Sequence, residues 1–126
     1  MSKFFMMVGL PGSGKSTIAH KINNACIISS DDLRKELFND ENYQGNKNIL
    51  FNELYNRIIE SLKLNKNVVY DATNLNSKRR INFLNKIKKI PNIEKNCIFV
   101  HEKYKICLER NSNRNRKIPE EVIKNM

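Results

Sequence analysis

Residues 4–16 read FFMMVGLPGSGKS, an apolar run that leads directly into a glycine-rich loop. The apolar run is typical of a buried strand, and the loop from Gly9 to Ser16 fits the pattern G-x-x-x-x-G-K-S/T. Glycines in such a loop let backbone N–H groups turn inward around phosphates, and a helix behind the loop adds the positive end of its dipole. We expect residues 16–23 to form that helix. The sequence therefore predicts a binding site for a nucleoside triphosphate.

Two side chains of this loop are predicted to meet the phosphates and their metal ion. We expect Lys15, as an exposed loop residue, to reach the β and γ phosphates, and the Ser16 hydroxyl to hold magnesium. Backbone contacts to the phosphates are expected from Gly12, Ser13 and Gly14. The alternative interpretation is a glycine-rich turn that merely contains Lys-Ser.

The composition limits the chain to one domain and leaves its charge open to two explanations. The chain has 126 residues, enough for one sheet with helices, so we predict a single domain over residues 1–126. Its formal charge of +10 suits a nucleic-acid backbone as partner. However, 16 lysines and 20 asparagines accompany only 7 arginines, and a general bias toward Lys and Asn explains the charge equally well.

The cysteines, Cys26, Cys97 and Cys107, are odd in number, far apart and without C-x-x-C spacing. Because two of them fall in apolar, strand-like runs, we expect reduced cysteines in the core and a cytoplasmic location. No apolar run approaches the length of a membrane span, so no membrane partner is expected.

Strand-like and helix-like segments alternate along the chain. The predicted strands cover residues 4–8, 25–28, 68–70 and 97–100, and the predicted helices cover 16–23, 30–37, 47–64, a segment opening at residue 77, and 104–110. In the helix that opens at residue 77, we expect Ile81, Leu84 and Ile87 to face the core. Strands separated by helices imply right-handed crossovers. The predicted fold is therefore a doubly wound α/β fold, with about four parallel strands and helices on both faces.

Ligands of an open parallel sheet bind outside the carboxyl ends of its strands. Four segments follow predicted strands and are candidate site segments: residues 9–16, 29–32, 71–74 and 101–102. Asp71 ends an apolar strand where a magnesium-ordering aspartate is expected, although a hydrogen-bonded strand-end residue is the alternative. Thr73 and Asn74 follow it, and we predict that they contact the substrate.

Asp31 and Arg34 lie three residues apart at the start of a predicted helix and therefore share a face. A carboxylate there can accept the proton of an attacking hydroxyl, and a guanidinium can grip a phosphate with two hydrogen bonds. The pair thus predicts the acceptor site of a kinase. Alternatively, Asp31 and Asp32 merely complement the helix dipole, and Arg34 forms a surface ion pair.

Two further groups of cations have both a functional and an ordinary interpretation. Residues 110–118 carry three arginines and a lysine among Asn and Ser, and such a segment can close as a lid over donor phosphates. In isolation it is a solvated charged turn. Arg79 and Arg80 stand in the first turn of a predicted helix, where the dipole disfavours cations, which hints at an anionic partner. A solvated helix face is the commoner explanation.

Four segments that together span nearly the whole chain carry a resemblance. They are GLPGSGKST (9–17), SSDDLRKEL (29–37), VVYDATNLNSKRR (68–80) and LERNSNRNRKIPEEVI (108–123). Together they resemble the 5′-kinase domain of bacteriophage-type polynucleotide kinases, within the wider group of small P-loop kinases. The resemblance implies that Asp31 is the general base for the 5′-hydroxyl and that Arg34 binds a phosphate of the acceptor strand. It also implies that Arg114 is the lid arginine on the donor phosphates and that Thr17 joins the nucleotide-binding loop.

The sequence as a whole favours an ATP- and magnesium-dependent kinase that phosphorylates the 5′-hydroxyl end of DNA or RNA. A P-loop kinase of a small-metabolite hydroxyl would use the same Asp31 and the same loop. A non-enzymatic nucleotide-binding module is the third interpretation. The oligomeric state stays open.

Overall fold

The computed structural model describes residues 2–40, 47–101 and 104–112. Along these residues the elements follow in the order β1 (Ser2–Val8), α1 (Lys15–His20), β2 (Ala25–Ser29), α2 (Ser30–Phe38), α3 (Lys47–Lys63), β3 (Asn67–Asp71), α4 (Ser77–Ile87), β4 (Ile93–Phe99) and α5 (Tyr104–Ser112). The sheet has the strand order β2-β3-β1-β4, and every pair is parallel. The predicted parallel α/β fold is confirmed. Among the described helices, none is long and apolar enough to cross a membrane.

The alternating side chains of β1 separate two apolar layers. Phe4 and Met6 point to one face, where they join buried residues of α2, α3 and α4. Met7 points to the other face and packs with Ala19 of α1 and Val69 of β3. Each large side chain fully buried in these layers contributes about 1.5–3 kcal/mol to folding. Helices therefore cover both faces of the sheet, as predicted.

The helix α4 presents a different stripe to the core from the one predicted. Phe83 and Ile87, one turn apart, are buried, and Leu84 is half-buried. Ile81, which was expected to face inward, is 58% exposed. Residues spaced by three drift around a helix of 3.6 residues per turn, whereas the pair spaced by four stays on one face. Phe83 takes the place predicted for Ile81, with its ring centroid 5.7 Å from that of Phe4.

The strand β4 begins at Ile93 rather than at Cys97. It pairs with β1 along its whole length, from Ser2 opposite Ile93 to Val8 opposite Phe99. Most of its first half is exposed, because β4 is an edge strand of the described sheet. No apolar run therefore marks this half in the sequence.

One of the three cysteines lies in the core and two do not. Cys107 is buried, but Cys26 and Cys97 are exposed, which corrects the expectation that all three belong to the core. The two exposed cysteines lie in β2 and β4, the outer strands of the sheet, which have a neighbouring strand on one side only. An apolar run in an edge strand is thus weaker support for burial than the same run in a central strand. All three thiols are free.

The strands β1 and β3 lie side by side at the point where the connections diverge. The chain leaves β1 toward β2 on one side and leaves β3 toward β4 on the other. In such sheets ligands bind at this point, outside the carboxyl ends of the strands. The backbone N–H of Gly9 donates to the Thr73 carbonyl over 3.0 Å and joins the loop after β1 to the loop after β3. Two of the predicted site segments, 9–16 and 71–74, are therefore in direct contact.

Candidate active site

Two glycines in the left-handed region shape the loop after β1. Gly12 has φ +82° and Gly14 has φ +96°, conformations that L residues rarely adopt. A Cβ on Gly12 would come within 2.5 Å of the Cys107 carbonyl oxygen in α5, so a side chain has no room there. Gly14 directly precedes α1, whose first turn has no side-chain cap and no acidic residue. The N–H groups at the start of α1 are therefore open to an anion.

Lys15 opens α1 and is buried, with an exposed fraction of 8%, which corrects the expectation of an exposed loop lysine. The loop closes on itself and packs against α5 at Gly12, which removes solvent from one of its sides. Ser13 of the same loop is buried too, and its Oγ has no hydrogen-bond partner among the described residues. Thr17 is exposed. Buried polar groups call for a polar or charged ligand, and a phosphate meets that need.

Ser16 and Asp71 bring a hydroxyl and a carboxylate together across the cleft. Ser16 Oγ, on α1, donates a hydrogen bond of 2.8 Å to Asp71 Oδ2 at the end of β3. Asp71 is 7% exposed, so water screens its carboxylate poorly and a nearby cation is favoured. Magnesium prefers such oxygen ligands and takes one or two carboxylates together with substrate phosphates and water. The two residues fit this ion, while the described residues contain no cluster of three or more His, Cys, Asp or Glu.

The helix α2 carries the predicted acceptor pair. Ser29 caps it, because Ser29 Oγ accepts a 3.4 Å hydrogen bond from the Asp32 N–H, so α2 begins directly at the end of β2. Arg34 Nη1 donates to Asp31 Oδ1 over 2.8 Å. The side chains of Arg34 and Asp31 are 13% and 32% exposed, so this ion pair is partly shielded from solvent. The structure thus brings the two predicted residues together, in the ion pair that the ordinary interpretation also expected.

Asn74 has a structural function that reasoning from the sequence missed. Its Nδ2 donates to the Met7 carbonyl over 2.7 Å, and its own carbonyl accepts a 2.6 Å hydrogen bond from Arg80 Nη1. These bonds hold the loop after β3 against the end of β1 and so keep Asp71 beside the glycine-rich loop. The φ of +51° at Asn74 suits asparagine better than most residues. The predicted substrate contacts of Asn74 and of the half-buried Thr73 stay predictions.

Arg110 of α5 lies directly on the glycine-rich loop. Its Nη1 donates to the Gly12 carbonyl over 3.3 Å and is 3.9 Å from the position that a Cβ on Gly14 would take. Arg110 belongs to the basic segment 110–118, for which the resemblance implied a phosphate role at Arg114 alone. Arg114 and the rest of that segment from residue 113 onward lie outside the described residues. Arg110 is thus the residue of the basic segment that contacts the loop in the described part of the chain.

The two histidines serve local packing. Nδ1 of His20 is 2.8 Å from the Ser16 carbonyl oxygen within the same helix. The ring of His101 stacks on Phe99 with centroids 6.0 Å apart.

Together, the ends of β1, β2 and β3 place three kinds of groups along one edge of the sheet. The β1 loop offers uncapped N–H groups and Lys15, with Arg110 above them. Ser16 and Asp71 offer oxygen ligands. The end of β2 leads to the Asp31–Arg34 pair, two strands away from β1. This arrangement can bind a polyphosphate on one side and offers a base beside an anion-binding group on the other.

In sequence the chain is similar to a curated kinase, and in fold it is similar to several solved structures. It is 33% identical, over 138 aligned positions, to an L-seryl-tRNA(Sec) kinase from Methanococcus maripaludis, which covers 96% of this chain and 49% of that protein. The structure of the Pnkp1/Rnl/Hen1 RNA repair complex matches with TM-score 0.80 and 22% identity over 98% of this chain and 42% of the other. A gluconokinase from Sinorhizobium meliloti matches with TM-score 0.64 and 20% identity, over 98% and 71%. The chain spans about half the length of its curated relative.

A family model described as AAA domain, AAA_33, matches residues 4–126. The match begins in β1, immediately before the glycine-rich loop, and includes the three other strands of the sheet. The parallel sheet, the helices on both faces and the loop agree with the fold of P-loop kinases. The chain therefore belongs to the AAA domain family AAA_33.

Proposed function

We propose that the protein transfers the γ-phosphoryl group of ATP to the 5′-hydroxyl end of a DNA or RNA strand. The observation that carries this proposal is the Asp31–Arg34 pair, whose 2.8 Å contact fixes a carboxylate and a guanidinium together next to the cleft. A base beside a phosphate-binding group suits a hydroxyl whose neighbour along the chain is a phosphate. Similarity to a relative named L-seryl-tRNA(Sec) kinase supports an acceptor carried on a polynucleotide.

On the donor side, the glycine-rich loop, Lys15 and Arg110 supply positive charge for the ATP phosphates. Gly12, Ser13 and Gly14 offer backbone N–H groups, and the ammonium of Lys15 is already shielded from water, which strengthens its attraction to a phosphate. Ser16 and Asp71 would hold magnesium, which neutralises charge that develops on the phosphates. Arg110, and Arg114 in the remaining basic segment, would stabilise the transferred group.

On the acceptor side, Asp31 takes the proton of the attacking 5′-hydroxyl. The hydroxyl oxygen forms a bond to the γ-phosphorus while the bond from that phosphorus to the β–γ bridging oxygen breaks, so ADP leaves and a 5′-phosphate remains. Arg34 binds the phosphate that follows the first nucleoside and, through its ion pair, orients Asp31. Asp31 is the better candidate for the base than Asp32, because Asp31 is partly buried and paired with Arg34, whereas the side chain of Asp32 is exposed.

A second candidate is phosphorylation of a hydroxyl that is not a polynucleotide 5′ end. The relative named L-seryl-tRNA(Sec) kinase favours an amino-acid hydroxyl attached to tRNA, and the gluconokinase shares the fold. The same Asp31 would act as base for any of these acceptors. The candidates therefore differ in the part of the acceptor that Arg34 contacts. The phosphoryl transfer itself is the same in each case. A non-enzymatic nucleotide-binding module, the third interpretation, would transfer no phosphate at all.

The test is phosphoryl transfer from γ-labelled ATP to a panel of parallel acceptors. The panel contains a 5′-hydroxyl oligonucleotide, the same oligonucleotide with a 5′-phosphate as control, a nucleoside, its 3′-monophosphate, gluconate and seryl-tRNA. We expect label on the 5′-hydroxyl oligonucleotide and the nucleoside 3′-monophosphate, and far less on the nucleoside, which lacks the phosphate for Arg34. Label on gluconate or seryl-tRNA alone would replace the proposal by the second candidate.

A further inference from the structure

A groove of about 340 Å³ lies between α3 and α4, apart from the site described above. We name it the α3–α4 groove. Its lining contains two aromatic rings, Phe51 and Tyr55, and two cations, Arg79 and Lys86. The remaining lining residues are asparagines: Asn48, Asn52, Asn82 and Asn85. Within the described part of the chain this lining combines aromatic faces, amides and positive charge, without a carboxylate.

The two cations of the groove rest on its aromatic rings. The guanidinium carbon of Arg79 is 4.3 Å from the ring centroid of Phe51, and Lys86 Nζ is 5.1 Å from that of Tyr55. In residues 2–40, 47–101 and 104–112 neither cation forms a salt bridge. The Tyr55 ring also stacks on the core residue Phe83 at 4.4 Å, which fixes its orientation. Cations held on ring faces keep their N–H donors for an anion.

The helix α4 lies beside the groove and carries positive charges that no acidic residue of the helix balances. Ser77–Ile87 contains four cations and no acidic residue, and residues 72–93 contain no Asp or Glu at all. On α3, by contrast, Arg57 is paired with both Glu36 and Glu53. A general excess of lysine does not explain this difference between adjacent helices. Proteins bind single-stranded nucleic acids on surfaces of this kind, where a basic helix lies next to aromatic rings and amides.

Aromatic contacts link the α3–α4 groove to Tyr70 of β3, because Tyr55 of the groove stacks on Phe83 and the Tyr70 ring meets Phe83 edge-on at 5.7 Å. The Tyr70 hydroxyl is buried and has no hydrogen-bond partner among the described residues. Burial raises the pKa of Tyr70 well above its usual range, while the charges of Arg34 and Arg79 both act to lower it. In the sheet, Tyr70 is paired with Ile28 of β2, two residues before the start of α2, which carries the acceptor pair. Arg79 also stands in the first turn of α4, just after the loop that follows β3.

We propose that the α3–α4 groove binds a nucleotide of the acceptor strand, downstream of the end that Asp31 and Arg34 hold. This inference rests on the proposed function and extends it from the reacting end to the body of the strand. Arg79 and Lys86 bind phosphates of the strand backbone. A base stacks on the face of Phe51 that Arg79 covers in this structure, and the asparagine amides form hydrogen bonds with base edges. The partner is thus a single strand rather than a duplex, because a stacked and paired base cannot enter the groove.

The test measures binding of a fluorescent, single-stranded 5′-hydroxyl oligonucleotide of about 12 nucleotides by anisotropy, without ATP. Two changes address the groove: the double variant Arg79→Gln/Lys86→Gln, and Asn82→Asp, which adds a repelling carboxylate at an exposed position. Lys63→Gln, at the exposed far end of α3, is the matched control for loss of charge. Circular dichroism checks that each variant keeps the fold.

We expect the double variant to bind the oligonucleotide roughly tenfold more weakly, and its salt dependence to flatten by about 1.4 in slope, from two lost phosphate contacts on a single strand. Asn82→Asp should weaken binding as well, and Lys63→Gln should change it less than twofold. Turnover on a nucleoside 3′-monophosphate, which is too short to enter the groove, should stay unchanged in all three variants. Equal affinities for all proteins, or equal losses on the short acceptor, would overturn the inference.

Two further arms identify the partner and separate this inference from the proposed function. A duplex of the same length and a polyglutamate of matched charge serve as competitors, and competition by polyglutamate equal to that of the single strand would assign the groove to an acidic protein instead. If the groove variants lose binding while no acceptor of the panel receives phosphate, the proposed function fails and the binding surface stands. If the panel succeeds and the groove variants bind normally, the groove inference fails alone.

Discussion

The two sides of the cleft differ in what holds their functional groups. On the side proposed to bind the phosphate donor, the backbone positions the functional groups: Gly12 has no room for a side chain, and Lys15 is buried at the start of α1. On the acceptor side, the pair formed by Asp31 and Arg34 is carried by side chains of α2, one of them about a third exposed. We therefore expect the glycine-rich loop to tolerate few substitutions. The acceptor side can change its chemistry through a few side chains without disturbing the sheet.

The proteins that this chain resembles are named for different acceptors. The matched proteins are described as kinases of a tRNA-borne serine and of gluconate, or as part of an RNA repair complex. All of them align with most of this chain. A donor side built from backbone can serve many acceptors, because specificity then lies in side chains placed on the scaffold. Variants on the two sides should therefore fail in different ways.

The largest effect is expected for Lys15→Met, which removes the ammonium and keeps much of the buried volume. Phosphoryl transfer to every acceptor should be lost, because no other described group takes that position in the loop. The thermal midpoint should change little, since the unbranched methionine side chain keeps most of the buried packing. Scanning calorimetry and labelled ATP measure the two effects. Transfer at the parent rate would show that the loop does not bind the donor.

The next effect is expected for Asp31→Asn, which keeps the shape of the side chain but not its basicity. Turnover should fall by about two to four orders of magnitude with ATP affinity nearly unchanged. Asp32→Asn is the matched control, and it should act more mildly because Asp32 is exposed and outside the ion pair. Single-turnover kinetics and nucleotide titration check both values. The reverse ranking would move the base to Asp32.

A smaller and more selective effect is expected from comparing Arg34→Ala with Arg110→Ala. Each arginine offers charged hydrogen bonds, so each loss should cost about 10- to 100-fold. For Arg34 the loss should be larger with acceptors that carry a phosphate next to the hydroxyl than with the free nucleoside, because only the former also lose a phosphate contact. For Arg110, which lies on the glycine-rich loop, it should appear with every acceptor, as it should for Arg114. Equal losses from Arg34→Ala on nucleoside and nucleoside 3′-monophosphate would favour the small-metabolite kinase.

The same contrast explains how far the sequence could predict the site. The donor loop is contiguous, and Asp71 ends an apolar strand, so spacing alone predicted two groups that the structure joins by a 2.8 Å hydrogen bond. The bond from Asn74 to the Met7 carbonyl joins positions far apart in the chain, and one asparagine among 20 gives no signal of it. The burial of Lys15 was equally hidden, because it depends on how the loop folds against the rest of the chain.

The secondary structure also contains parts that the sequence predicts well and parts that only packing decides. Central strands carry continuous apolar runs, and their positions were predicted well, as for β3 (Asn67–Asp71). The edge strand β4 (Ile93–Phe99) was predicted too short, because half of it faces solvent and lacks that pattern. The buried face of α4 was predicted wrongly, because an apolar face at helical spacing can begin at either Ile81 or Phe83. Only packing against Phe4 and Tyr70 decides between them.

The smallest effect is expected from the ion pair that joins α3 to α2, the helix that carries Asp31 and Arg34. Arg57 of α3 binds Glu36 of α2 through two hydrogen bonds of 2.7 and 2.9 Å and contacts Glu53 at 2.9 Å. Its hydrogen bonds lower the pKa of Glu36 below the usual value of 4.5. A lowered carboxyl pKa stabilises the fold at pH above about 4.5, and this contribution disappears as the pH falls through the lowered value. Because Glu36 is exposed, the contribution is small and salt screens it.

Glu36→Gln should therefore lower the thermal midpoint slightly at pH 7 and low salt, and by less at high salt. Between pH 6 and pH 3 the parent protein should lose slightly more stability than the variant, since the variant has no carboxylate to protonate at this position. Melting curves followed by circular dichroism, with Glu60→Gln on the exposed face of α3 as control, measure the difference. Parallel pH profiles for the parent and Glu36→Gln would mean that α2 is held by packing alone. Ion pairs would then not distinguish the acceptor side from the donor side. The two sides would differ only in the exposure of their side chains.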